Sequence, residues 1–372
     1  MEIPFVDFYN KNNISPVSQN ITDLEKHSYR RESLYISLGI LPRYINNRKI
    51  IEFGPGSGHN AVYTASLNPK LYTLVDGSRV GYRATKERFK DQDNIEVIHA
   101  LFQDFSSEIQ YDMVIAEGCL PHQAEPLLLM NHICKFVDKK GIFLITTSNG
   151  VSYLSETLRR LMRDRFLSPN EMTKKQLDLL IPIYQPHLKT LLNMSRPVED
   201  WILDSIIQPL QHVKLLSIPD VINHLDGRFE VLGSSPKFIE DWRWYKDINS
   251  KTKGYNQVAL NSYYRKNLNF LDYRFRFIEH SKEFGIKLEE LCDETWTIMC
   301  SIEKSESNEG WNRLFENLSS IHDLILQLAP ETAKALKEIT IWLKDGDLNN
   351  SLPNFSNWWG RGQQYLSFIN NQ

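Results

Sequence analysis

The chain is poor in cysteine. Its four, Cys119, Cys134, Cys292 and Cys300, form no C-x-x-C pair and have no histidine at ligand spacing. That excludes a zinc ribbon and a disulfide framework, and it predicts reduced, structural thiols and no metal site. No run approaches the ~18 consecutive apolar residues needed to span a bilayer. The opening Met1-Glu2-Ile3-Pro4-Phe5-Val6-Asp7 carries acids where a signal peptide carries bases, so the expectation is a cytoplasmic protein without a membrane span. There is no basic excess either. Lys and Arg number 43 against 46 Asp and Glu, a formal charge of −3, which gives no field to hold nucleic acid or an anionic surface. Two phosphate signatures are missing, G-x-x-x-x-G-K-[ST] and the dinucleotide spacing G-x-G-x-x-G.

What is present is a different glycine turn. Lys49-Ile50-Ile51-Glu52-Phe53 runs into Gly54-Pro55-Gly56-Ser57-Gly58, and the helix-compatible Ala61-Val62-Tyr63-Thr64-Ala65-Ser66-Leu67 follows. An apolar run ending in Gly reads as a buried strand entering a tight turn, where a missing Cβ lets a ligand approach. The amides that open the helix favour a polar or anionic ligand.

From residue 49 to 146 strand and helix patterns alternate, the mark of a parallel α/β sheet. The strands fall at Lys49–Phe53, Leu71–Val75, Ile95–His99, Met113–Ala116 and Ile142–Thr146, with helices near 58–67, 78–90 and 123–137. Phe229–Gly233 reads as a late strand and Asp241–Tyr245 as its hairpin partner. Residues 1 to about 20 read as an irregular arm. Asn20 or Thr22 would then cap a helix running to Leu38, with Thr22-x-x-Glu25 matching a capping box and with His27, Arg30 and Arg31 on a solvated face.

Between Gly150 and Gly227 the pattern is helical and interrupted by Pro169, Pro182, Pro186, Pro197, Pro209 and Pro219, so it reads as an insertion made of short pieces. Helices near 257–284, 286–303, 309–328 and 331–344 follow, with breaks at Gly285, residues 305–308, Pro330 and Gly346. Four regions result: an arm and helix at 1–48 covering the site, a core at 49–150 with 228–250, a helical cap at 151–227 and a helical C-terminal region at 251–372.

Acids stand at successive strand ends. Asp76 closes strand two, 22 residues after Gly54, where a carboxylate in a doubly wound sheet accepts ribose hydroxyls. Ala100-Leu101-Phe102-Gln103-Asp104-Phe105 follows strand three. It fits either an acceptor and wall for adenine or a helix cap with two core phenylalanines. Strand four, Tyr111-Asp112-Met113-Val114-Ile115-Ala116, leads to Glu117 and His122 beside the same crevice.

Taken together, residues 49–146 resemble a class I S-adenosylmethionine-dependent methyltransferase. That family shows E/D-x-G-x-G-x-G after strand one, acids after strands two and three, and a [FY]-D-x-[VI] strand four. The resemblance implies an α/β fold with a doubly wound, seven-stranded Rossmann-like sheet, a helical insertion and a helical C-terminal region. It implies S-adenosylmethionine as cofactor, with Gly54, Gly56 and Gly58 against its methionine part and Glu52 near the ammonium. Asp76 would take the ribose, and Asp104 with Phe105 the adenine. Pro55 departs from many members of the family, and the flanking glycines keep the freedom the turn needs. The closing antiparallel strands would be Phe229–Gly233 and Trp242–Tyr245.

Methyl transfer requires alignment of acceptor and methyl, and removal of a proton when the acceptor is a hydroxyl. His122 is the candidate base, with a loop hydrogen bond as its ordinary role, and Glu117 a candidate to orient substrate or cofactor. The chain has no [DNS]-P-P-[FY] and no Pro-Cys dipeptide, which disfavours adenine or glutamine amino methylation and cytosine C5 chemistry. The expected acceptor is oxygen or nitrogen of a small molecule. A sugar or sugar-phosphate of surface polysaccharide synthesis is suggested by Tyr153, Arg159, Arg160, Tyr184, His187, Arg196 and Trp201 of the cap and by Trp358, Trp359, Arg361 and Tyr365 of the tail. A natural-product or lipid-like acceptor is the rival. Aminopropyl transfer is disfavoured because the D-x-x-x-D-like cluster it needs after strand four is missing. A cofactor-binding scaffold is the other alternative, with the C-terminal helices as a homodimer surface.

Overall fold

The computed structural model describes residues 4–12, 20–121, 123–165, 167, 172–194, 196–209, 214–250, 252–305, 307–346 and 351–372. The chain divides into two compact units. One comprises 1–147, 216–262 and 363–372, the other 148–215 and 263–362. The helical insertion and the helical C-terminal region thus fall together in one unit, and the last ten residues belong to the other.

The first unit is built on seven strands: β1 (Lys49–Phe53), β2 (Leu71–Asp76), β3 (Ile95–His99), β4 (Tyr111–Ala116), β5 (Val137–Thr147), β6 (Phe229–Ser235) and β7 (Gln364–Asn370). They lie in the order β3-β2-β1-β4-β5-β7-β6. β1 to β5 are parallel, and β7 runs antiparallel to both β5 and β6. The central strands are mostly apolar because both faces are covered: Ile50, Ile51, Phe53, Leu74, Val75, Met113, Val114 and Ile115 are all fully buried. Strand order reverses between β1 and β4, so the crevice opens beyond their carboxyl ends.

Three local expectations change in this unit. The seventh strand is Gln364–Asn370 and not Trp242–Tyr245. In the latter segment the Asp241 carboxylate accepts the Arg243 amide at 3.0 Å, a local turn that competes with a ladder, and Trp242 is 90% exposed. β7 wins the central position by burying Leu366 and Phe368, with Phe143↔Phe368 in register. The arm contains a helix, Pro4–Asn12. The next helix is Leu24–Ser37, and its cap is Asp23, which accepts the Lys26 amide at 2.9 Å. Asn20 instead receives the amide and hydroxyl of Thr22.

The second unit surrounds the helix Gly150–Asp164, almost all of whose residues are buried. Arg159 is fully buried, with its guanidinium 3.6 Å from the ring centre of Trp359 and its nitrogens donating to the carbonyls of Ser155, Phe355 and Trp358. Arg160 and Arg163 both pair with Glu303 on the helix Lys282–Lys304. Arg159, Arg160, Tyr184, His187, Trp201, Trp358 and Trp359 are therefore core residues of a helical unit, and the aromatic and basic mixture that suggested a sugar is absorbed by packing. Arg361 donates to the Asn269 carbonyl.

Pro182 and Pro186 lie inside the helix Thr173–Lys189 and do not end it. Gly285 likewise does not break a helix. It sits within Lys282–Lys304, where an added Cβ would lie 1.7 Å from the Tyr264 carbonyl oxygen, so the glycine serves close backbone approach. The helix expected over 257–284 ends at Lys266 and Leu271.

Candidate functional site

The glycine turn is held by backbone. Gly54 donates its amide to Val75 O at 2.8 Å and Gly58 to Pro55 O at 2.9 Å, and Gly54, Gly56 and Gly58 all have positive φ, at 76°, 59° and 73°. An added Cβ at Gly54 would stand 2.9 Å from the Cys119 Cβ and 3.3 Å from the Phe102 ring. The alternation of glycines is thus dictated by backbone conformation and by space.

Asp76, at the end of β2, is 6% exposed and ties two loops together. Its carboxylate accepts the Gly56 amide at 2.9 Å and the Ser78 amide at 2.8 Å. Burial raises its pKa to about 6 against the pull of those two amides. Gly81 was not singled out by sequence reasoning and belongs here too: a Cβ on it would fall 2.8 Å from the Asp76 carboxylate. Glu52 is 3% exposed and receives the Tyr72 hydroxyl; burial, with the Glu117 charge adding, raises its pKa to about 7.

Glu117 gathers four donors. Both guanidinium nitrogens of Arg31 donate to it at 2.8 Å, Asn60 Nδ2 at 3.0 Å and the Tyr365 hydroxyl at 3.1 Å. Burial opposes the charge on Arg31, but Glu117 outweighs it and holds the pKa of the guanidinium up. Asn60 stands at the start of the helix Ala61–Ser66 and makes no side-chain cap there. Glu117 thereby fixes Arg31, Asn60 and Tyr365 relative to one another.

The other predicted residues separate. Phe105 is buried against Phe53 and Phe136, with ring centres at 5.5 and 5.1 Å, so it is core. Phe102 is the phenylalanine beside Gly54. Asp104 is exposed, in the turn Phe102–Asp104. His122 lies outside the described residues.

Sequence reasoning also missed His27 and Arg31, which are not solvated but 7% and 6% exposed. The usable signal is their spacing with Tyr35, i, i+4, i+8, which places all three on one helix face.

Among the described residues no group of three or more His, Cys, Asp or Glu could hold a metal ion, and no helix is long and apolar enough to cross a membrane.

Residues 26–184 match the family described as a methyltransferase domain. No curated protein matches the chain. Among solved structures, it is similar to an S-adenosylmethionine-dependent methyltransferase from Mesorhizobium loti, with 14% identity over 29% of this chain and 50% of that one, TM-score 0.27. It is similar to the CcbJ methyltransferase from Streptomyces caelestis, with 20% identity over 33% and 50%, TM-score 0.28. It is also similar to magnesium protoporphyrin IX methyltransferase from Synechocystis, with 14% identity over 40% and 74%, TM-score 0.32. The chain thus spans half the length of the first two.

Proposed function

We propose that the protein, whose residues 26–184 match a methyltransferase domain, binds S-adenosylmethionine at the Gly54–Gly58 turn and methylates oxygen or nitrogen of a small molecule. The observation that carries this reading is the 2.9 Å bond from the Gly56 amide to Asp76. It joins the glycine turn and the strand-two acid into one wall of the crevice where strand order reverses.

The residues fit the cofactor. The positive-φ backbone of Gly54, Gly56 and Gly58 suits the close approach of its methionine part. The two acids whose pKa values burial raises suit a cationic, hydroxyl-rich ligand, Glu52 toward the ammonium and Asp76 toward the ribose. In this reading Asp104 serves the adenine, with Phe102 taking the part expected of Phe105, which is buried in the core. When bound, the cofactor supplies an electrophilic methyl group on a positively charged sulfur. The chain's part is to hold the two acids ionised against that charge, to fix Asn60 and Tyr365 through Glu117, and to align the acceptor.

Isothermal titration with S-adenosylmethionine and S-adenosylhomocysteine tests the premise. Binding of both is expected, and binding of neither refutes it. Transfer of labelled methyl into aqueous and lipid fractions of a cell extract then separates a sugar or sugar-phosphate acceptor from a lipid-like one. A protein that binds the cofactor and labels no fraction is a scaffold.

A further inference from the structure

The helix Arg79–Arg88 packs directly against the glycine turn. A Cβ on Gly58 would stand 3.1 Å from the Thr85 hydroxyl, 3.1 Å from the Phe89 ring and 3.3 Å from Arg88 Cδ. The helix also holds the turn by hydrogen bonds. The Thr85 hydroxyl, fully buried, donates to Gly56 O at 2.7 Å. Arg88 Nε donates to Ser57 O at 2.8 Å, and Arg88 Nη2 donates to His59 Nε2 at 3.0 Å. A guanidinium can only donate, so His59 Nε2 is an acceptor and the ring carries its proton on Nδ1, the atom that meets the Ser57 hydroxyl.

Gly81, Thr85 and Arg88 are spaced i, i+4, i+7 and share one face of that helix. Each has a separate task there. Gly81 makes room for the Asp76 carboxylate, Thr85 takes the Gly56 carbonyl, and Arg88 takes the Ser57 carbonyl and the His59 ring. Gly56 is thereby held at both ends, its amide by Asp76 and its carbonyl by Thr85. One helix face thus sets the strand-two acid and the glycine turn in register with each other.

We propose that Thr85 and Arg88 are positioning residues of the S-adenosylmethionine site, which hold the glycine turn in its binding form without touching the ligand. The inference rests on the cofactor reading above and adds what keeps that site ready. Gly54, Gly56 and Gly58 all stand at positive φ, and glycines leave a turn many other conformations. Apparent affinity falls in proportion to the fraction of molecules that leave the competent one. The buried hydroxyl at 85 and the guanidinium at 88 keep that fraction high by tying down the two successive carbonyls of Gly56 and Ser57.

A pair of substitutions separates positioning from packing. Thr85→Val keeps the shape of the side chain and removes the donor, whereas Thr85→Ser keeps the donor and removes a methyl group. S-adenosylhomocysteine affinity by titration is expected to fall at least about fivefold in Thr85→Val, the worth of one hydrogen bond, and by less in Thr85→Ser. A packing role gives the reverse order, because a filled site loses more to the smaller side chain. A smaller loss in Thr85→Val, or a larger one in Thr85→Ser, overturns the proposal. Arg88 is exposed, so Arg88→Met reads the same face even if Thr85→Val fails to fold. Its affinity is expected to fall at least about threefold, and a smaller change overturns the proposal. In protein labelled with 15N-histidine, His59 at pH 7 is expected as the Nδ1–H tautomer; an imidazolium or an Nε2–H tautomer removes the Arg88 contact and overturns the proposal. If the wild type binds neither S-adenosylmethionine nor S-adenosylhomocysteine, the cofactor reading fails and this one with it. If it binds and the variants bind alike, the cofactor reading stands and this one falls.

Discussion

Glu52→Gln separates what the site costs the fold from what it does for the ligand. Glu52 lies at the end of β1, 3% exposed, with Tyr72 donating to it and with burial raising its pKa from 4.5 to about 7. The folded protein therefore holds this proton more tightly than the unfolded chain does. The associated stability is fully present below pH ~4.5, is lost as pH rises through about 7, and is absent above. At roughly 1.4 kcal/mol for each tenfold change in proton affinity, the gap amounts to about 3 kcal/mol. Gln keeps an oxygen for the Tyr72 hydroxyl and removes the charge. The variant should then melt higher than wild type at pH 8, by on the order of 6–12 °C for a unit of about 200 residues, and alike at pH 4. Its S-adenosylhomocysteine affinity should fall about tenfold or more, the worth of a charge-assisted contact to the ammonium. Scanning calorimetry across pH 4–8 with titration at pH 8 reads both. A variant less stable than wild type at pH 8, or a wild-type melting temperature flat between pH 5 and 7.5, would refute the reasoning.

Further outcomes follow from the same geometry. Gly54→Ala puts a Cβ at φ 76° and 2.9 Å from Cys119, so it should destabilise by about 1–2 kcal/mol and abolish S-adenosylhomocysteine binding, read by melting and titration. Glu117→Gln alone leaves the Arg31 charge buried and unmatched, which should cost about 3–5 kcal/mol. Adding Arg31→Met should recover much of that, as a double-mutant cycle in urea will show. Arg159→Lys leaves several of the carbonyls of Ser155, Phe355 and Trp358 without donors and should lower the melting of the helical unit by at least about 3 kcal/mol of stability.

The parts legible in the sequence are those whose cause is local. The five parallel strands were readable because each is a short, mainly apolar segment closed by a turn, and the turn after β1 because Gly54, Gly56 and Gly58 are required by their positive φ at fixed spacing. β7 was not readable, because Trp242–Tyr245 has the alternation of a strand and Gln364–Asn370 has it too. The choice between them is made by the slot between β5 and β6, more than a hundred residues away in sequence from the chain end that fills it. The helical unit failed for the same reason. Arg159 reads as a surface cation until Phe355, Ser356 and Trp358 bring carbonyls to it across nearly 200 residues.

The site shows a subtler failure. A helix bearing Lys26, His27, Arg30 and Arg31 reads as solvated on composition, yet its inward stripe is His27, Arg31 and Tyr35. Burying a cation there is tolerable only because Glu117, 86 residues on, meets it with both oxygens. The donors that gather on Glu117 come from residues 31, 60 and 365, so they are out of sight in the sequence. The i, i+4, i+8 spacing of His27, Arg31 and Tyr35 is the sequence pattern that would have pointed to this buried face.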